Sequence, residues 1–191
     1  KLLSAAKSPV ILNGAGVVLA AGGIEASMAL AELLDAPVCC GYQHNDAFPG
    51  SHPLFAGPLG YNGSKAGMQL IQEADVVLAL GTRLNPFSTL PGYGIDYWPK
   101  NAKIIQVDLK PERIGLTKAV TVGIVGDAAK VANGIISQLS ATAGDTDRAA
   151  RKARIASTKA AWDVELEAMT HEEDDPGTTW NERAREAKPD W

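Results

Sequence analysis

The chain has 191 residues, 46% hydrophobic and 6% aromatic, with a formal net charge of −4. That length suits one domain plus an appendage, and the apolar share is ample for an aliphatic core. The acidic balance, with no basic stripe interleaved with aromatics, argues against nucleic acid as a partner, and glycine, serine or charge interrupts each apolar stretch well short of the about 18 residues a membrane span needs.

The sequence opens at Lys1, shows no secretory leader, and closes at Trp191 in a polar run without a structural stop, so we expect a piece of a longer polypeptide. Cys39 and Cys40 are adjacent in an apolar run. On a strand they point to opposite faces and should not pair with each other, which suits a reducing cytoplasm.

Short β-like runs and helical patterns alternate over the first 140 residues. Residues 9–13 are apolar and end at glycine, and after Gly22 and Gly23 the spacing of Ile24, Met28, Ala31 and Leu34 predicts a helix. Residues 37–41 read as a second strand, and 42–63, rich in Gly, Pro, Asn and Ser, as irregular. Ser64 is placed to cap a helix reaching Ala74, with Ala66, Leu70 and Ala74 on one face. The continuously apolar run 75–81 predicts a fully buried strand, followed by a long loop over 82–99. Residues 103–108 and 119–125 predict two further strands. Asp127 then caps a helix whose inner stripe is Val131, Ile135 and Leu139.

Buried strands alternating with helices predict an α/β fold: a doubly wound, mostly parallel sheet with helices on both faces. Its crossovers should be right-handed and its ligand edge should lie at the carboxyl ends of the strands. Past Leu139 the character changes. Ser140 to Gly144 reads as a linker, and residues 145–169 as a charged C-terminal helical arm with a thin stripe of Ile155, Trp162, Leu166 and Met169. An acidic patch at 172–175, a break at Pro176-Gly177 and a short helix over 180–187 complete it. The arm either packs on something outside this chain or folds back on its own domain.

Four residues are candidate ligand contacts. Gly14 and Gly16 follow the first strand, where glycines let a backbone approach a phosphate. The dinucleotide fingerprint, however, wants a third glycine where Leu19 stands, and an acid where Tyr42-Gln43-His44 runs. A tight turn without nucleotide is the better reading. Arg83, just past a buried strand, suits phosphate or carboxylate, or a structural ion pair. Asp108 ends the fourth strand and could take a ribose hydroxyl, but a turn cap is favoured. The histidines, His44, His52 and His171, have no metal-ligand spacing. No nucleophile, base and oxyanion hole come together, so no catalytic residue is assigned.

Six segments in order carry a resemblance. They are Ser8-Pro-Val-Ile-Leu-Asn-Gly-Ala-Gly16, Ala36-Pro-Val38, residues 48–63, Ala74-Asp-Val-Val-Leu-Ala-Leu-Gly-Thr-Arg83, Ile104-Ile-Gln-Val-Asp108 and Ile124-Val-Gly-Asp127. Together they resemble the central, Rossmann-like domain of the thiamine-diphosphate-dependent decarboxylases and synthases, over residues 1 to about 139. Residues 39–48 and 82–98 look most like the sulfoacetaldehyde acetyltransferase branch, because Arg83 is followed by Leu84-Asn85-Pro86 where acetolactate synthases more often have Phe-Asp-Asp.

The resemblance implies a three-domain subunit, in which this middle domain joins a pyrimidine-binding and a pyrophosphate-binding domain of the same chain. Residues 140–191 would lead toward the latter. It implies that thiamine diphosphate and Mg2+ are held outside this chain, since Gly126-Asp127 is followed by Ala128-Ala129 rather than completing a Gly-Asp-Gly motif. The expected reaction of the whole enzyme turns sulfoacetaldehyde and phosphate into acetyl phosphate and sulfite, in a cytoplasmic homodimer or homotetramer. The chain alone should be inactive. Some relatives bind FAD or ADP in this domain, and those contacts would map onto Gly14, Gly16, Arg83 and Asp108.

Overall fold

The computed structural model describes residues 1–140 and 148–173. A single turn, α1 (Leu2–Ala5), leads into β1 (Pro9–Asn13). There follow α2 (Ala15–Leu19), α3 (Gly23–Leu34), β2 (Val38–Cys40), β3 (Phe55–Pro58), α4 (Lys65–Gln72) and β4 (Val76–Leu80). Then come β5 (Lys103–Asp108), β6 (Val122–Val125), α5 (Ala128–Ser140) and α6 (Arg148–Glu173). The six strands form one sheet in the order β3-β2-β1-β4-β5-β6, and each pairing is parallel. This is the expected doubly wound α/β fold.

Every residue of β1 and β4 is buried, because both lie mid-sheet with helices on each face. Their register runs from Pro9 opposite Val76 to Asn13 opposite Leu80. α3 and α5 pack on each other on one face, while α4 lies beneath α6 on the other. The core between them is aliphatic, with Tyr97 and Phe48 the largest fully enclosed rings.

The structure departs from the sequence pattern in four places. Residues 42–63 are not wholly irregular, since β3 lies within them. A four-residue edge strand with Gly57 at φ 98° and Pro58 at its end has no recognisable period. The face of α3 that is fully buried runs through Ala26, Ser27, Leu30, Ala31 and Leu34, while Ile24 and Met28 are half-buried at its margin. In α5 the deepest positions are Ala128, Ala129 and Ala132, with Val131, Ile135 and Leu139 packed at the edge of the core. The close approach of α3 and α5 selects alanine over larger residues. The last strand is shorter than the pattern suggested and mostly exposed.

The helix cap at Ser64 is present: its Oγ accepts from Gly67 N at 3.2 Å. So is that at Asp127, whose Oδ1 accepts from Lys130 N at 3.0 Å. Cys39 and Cys40 are both buried free thiols, and burial pushes their ionisation upward, Cys40 to about 12.

Of the two readings of the arm, the structure shows the second. α6 lies back along its own domain and buries Ile155 and Trp162, although Leu166 and Met169 remain exposed. Residues 141–144 of the expected linker lie outside the described residues. So do the acidic patch from Asp174 on, the break at Pro176 and the short helix over 180–187. Among the described residues no helix is long and apolar enough to cross a membrane.

Candidate functional site

In an open parallel sheet the natural crevice lies where the strand order reverses, outside the carboxyl ends of the strands. Here that point falls between β1 and β4. A cleft of about 320 Å³ occupies it, and Gly14, Gly16, Arg83 and Asp108 all line its wall. Four candidates from three stretches of sequence therefore line one cleft.

Their individual geometries differ. A Cβ on Gly14 would lie 2.5 Å from the Thr82 Cβ, and one on Gly16 would lie 2.6 Å from the Gly81 Cα. Both glycines thus let the turn after β1 press against the turn after β4, where Gly81 itself holds φ 61°. Gly16 N also donates to Gly81 O at 2.8 Å. This close packing explains the glycines without any ligand. Leu19, at the third fingerprint position, is 83% exposed.

Asp108 is buried, and its Oδ1 accepts from Lys110 N at 2.9 Å, the turn cap expected of an aspartate at a strand end. Arg83 is exposed and its side chain forms no ion pair among the described residues. Lys110 and Arg113 stand on the same cleft wall, so three cations face Asp108 and Asp127, whose carboxylates are engaged as caps.

Two side chains that sequence reasoning passed over shape this site. Gln106, 1% exposed in β5, donates through Nε2 to Thr82 O and Arg113 O, both at 3.1 Å. Its Oε1 accepts from Gly115 N at 2.8 Å, tying two cleft loops to one strand. Asn13, fully buried in β1, donates to Ser27 Oγ at 2.8 Å and to Ala47 O at 2.9 Å. A polar residue inside an otherwise apolar strand was the available signal, since such a group is buried only when its bonds are met.

The loop after β4 is held as firmly. Asn85 caps the short turn Pro86–Ser88, Tyr97 Oη donates to Ser88 O at 3.1 Å, and Ser88 Oγ accepts from Tyr42 N at 3.1 Å. Thr117 Oγ1 donates to Leu84 O at 2.6 Å, which keeps buried Leu84 at φ 54°.

These residues do not fit a thiamine diphosphate and Mg2+ site. Asp127 is committed to the first turn of α5, and no group of three or more His, Cys, Asp or Glu side chains able to hold a metal occurs among the described residues. The cleft is lined instead by the cations Arg83, Lys110 and Arg113.

Comparison with known proteins agrees with this architecture. Sulfoacetaldehyde acetyltransferase of Roseovarius nubinhibens is 80% identical over the whole chain, which covers 32% of that protein. The enzyme of the same name from Rhodobacter capsulatus is 73% identical over 190 residues, again with 32% of its length covered. The acetolactate synthase large subunit of Corynebacterium glutamicum is more distant, at 34% identity over 147 residues, 77% of this chain and 23% of that one. Among solved structures, a candidate thiamin diphosphate-dependent enzyme isolated from Mycobacterium smegmatis superposes with a TM-score of 0.56 at 31% identity. That match covers 72% of this chain and 25% of the other. The chain thus spans about a third of the length of the curated relatives it matches. The family model of the thiamine pyrophosphate enzyme central domain matches residues 1–135, and the chain belongs to that family as its central domain.

Proposed function

We propose that this chain is the middle domain of a sulfoacetaldehyde acetyltransferase, which converts sulfoacetaldehyde and phosphate to acetyl phosphate and sulfite. The carrying observation is 80% identity to such an enzyme across all 191 residues, against 34% to 39% to acetolactate synthase large subunits over shorter stretches. Thiamine diphosphate would supply the electron sink and, with Mg2+, would be held by the pyrimidine- and pyrophosphate-binding parts of the same polypeptide. Residues 140–191 would serve as the linker and arm leading to the latter part. The work of the present residues is scaffolding: a rigid sheet whose strand-end loops are fixed by Gln106, Asn13 and Tyr97. The whole enzyme would be a cytoplasmic homodimer or homotetramer.

The test uses the full-length protein. Sulfite release from sulfoacetaldehyde should require thiamine diphosphate, Mg2+ and phosphate together. Turnover with pyruvate as donor at least equal to that with sulfoacetaldehyde would move the assignment to an acetolactate synthase.

The strand-end cleft supports a second, subordinate reading. Arg83, Lys110 and Arg113 converge there beside Gly14, Gly16 and Asp108, so we propose a weak site for an anionic nucleotide such as ADP or FAD. Asp108 is committed to its turn and contributes shape rather than a ribose contact. Calorimetric titration with ADP, FAD and coenzyme A should give heat at millimolar ligand that Arg83→Ala abolishes. No heat from any of the three ends the reading.

A further inference from the structure

Tyr93 occupies a backbone position that a bulky residue rarely takes. Tyr93 and Gly94 have φ of 51° and 72°, and Ile95 N donates to Gly92 O at 2.8 Å across them. Positive φ at both central residues is the type I′ turn, whose preferred pair is Asn-Gly. The glycine is present, but the tyrosine is out of place by local preference alone. A side chain held in a sparsely populated conformation persists only when its surroundings over-determine it.

The surroundings here belong to α6. The Tyr93 ring meets the Trp162 ring edge-on, with centroids 5.5 Å apart. The Lys65 ammonium lies 5.7 Å from the Tyr93 centroid and 5.9 Å from the Trp162 centroid. Lys65 also pairs with Glu165, one turn further along α6. Trp162 is 8% exposed. Three stretches far apart in sequence therefore interlock at one point: the loop after β4, the first turn of α4, and the arm.

The rest of the arm is fastened independently. Arg148 and Lys152 pair with Asp35, and Arg151 donates to Lys7 O at 3.1 Å and to Leu34 O at 2.8 Å. Arg154 forks onto Glu73. These contacts seat α6 on the domain, and the Tyr93–Lys65–Trp162 cluster carries its position into the loop. The same loop supplies Thr82, Arg83, Asn85 and Ser88 to the strand-end cleft, and buried Tyr97 joins its far end to Ser88.

We propose that α6 is a strap, and that its seating through Trp162 and Lys65 against Tyr93 holds the 82–98 loop, and with it one wall of the strand-end cleft, in the ordered form. Seating of the arm and order of the cleft wall are then coupled in both directions.

Hydrogen exchange on the full-length protein tests this. Trp162→Ala should speed exchange at the Gly92, Ile95 and Ser88 amides about two- to tenfold, the range expected from losing an aromatic pair, while the amides of β5 keep their rates. Tyr93→Asn keeps the turn's own preference and removes only the ring. It should speed exchange over residues 158–166 by about the same factor, and it decides the matter should the tryptophan variant fail to fold. Unchanged rates over 158–166 in Tyr93→Asn overturn the proposal. So does a folded Trp162→Ala protein in which Ser88 exchanges as before.

Discussion

Asp35 illustrates how one residue serves two purposes. It ends α3 with φ 46°, in the left-handed region that aspartate tolerates better than most residues. Its side chain, 3% exposed, sits between Arg148 and Lys152 of the arm, Lys152 at 3.1 Å. Burial by itself raises the pKa of this carboxyl, but hydrogen bonds and charge from Arg148 and Lys152 outweigh that and hold it below its ordinary value. A carboxyl whose folded-state pKa is depressed contributes stability that is intact above the unfolded pKa and is lost as pH falls through the folded one. The urea midpoint of Asp35→Asn should therefore lie below that of the parent by a constant amount at neutral pH. The gap should begin to narrow as pH drops below about 4, near the unfolded value, and close only after pH has fallen through the depressed folded-state value. Asparagine also tolerates the left-handed backbone, so the comparison isolates the charge. A gap that persists at low pH would assign the effect to packing instead.

At the scale of the element, α4 gives the sharpest case. It starts where Ser64 Oγ accepts from Gly67 N, and its buried face of Ala66, Met68, Leu70 and Ile71 packs under β2 and β3. Ser64→Ala should cost about 1 kcal/mol, read as a lower urea midpoint with an unchanged slope, since the cap holds one amide and leaves the packing alone. This helix was legible because cap and apolar spacing agree. β5 was legible for a related reason, an apolar run of the right length ending in a turn-forming aspartate, and its bounds match residue for residue. β3 was hidden, because a strand of four residues containing Gly57 and Pro58 is defined by its neighbour β2 rather than by its own residues. The arm was legible as a helix but not in its docking. Trp162 needed a partner surface, and nothing in the sequence pointed to Tyr93, 69 positions earlier and on an irregular loop.

At the scale of the molecule, the candidate residues acquire meaning only from strand order. Gly14 and Gly16 read in the sequence as a tight turn in preference to a phosphate turn, and in the fold they make room for Gly81 and Thr82. Arg83, in the loop after β4, and Asp108, at the end of β5, line one cleft because β4 and β5 are neighbours beside the point where the sheet reverses. β6 closes the sheet with its residues largely exposed, and Leu109 and Leu116 nearby are 66% and 69% exposed, so much of the apolar surface at this edge faces outward.

The sequence by itself determined the fold class, the parallel sheet, the positions of five of the six strands and the family. Each of these rests on the local alternation of buried apolar runs with capped helices, or on an ordered set of motifs along the chain. The tertiary structure alone decided the strand order, the burial of Gln106 and Asn13 at the strand-end loops, the steric purpose of the glycines and the seating of α6 against Tyr93. Those depend on contacts between residues far apart along the chain, and neither periodicity nor composition carries information about which distant surfaces meet.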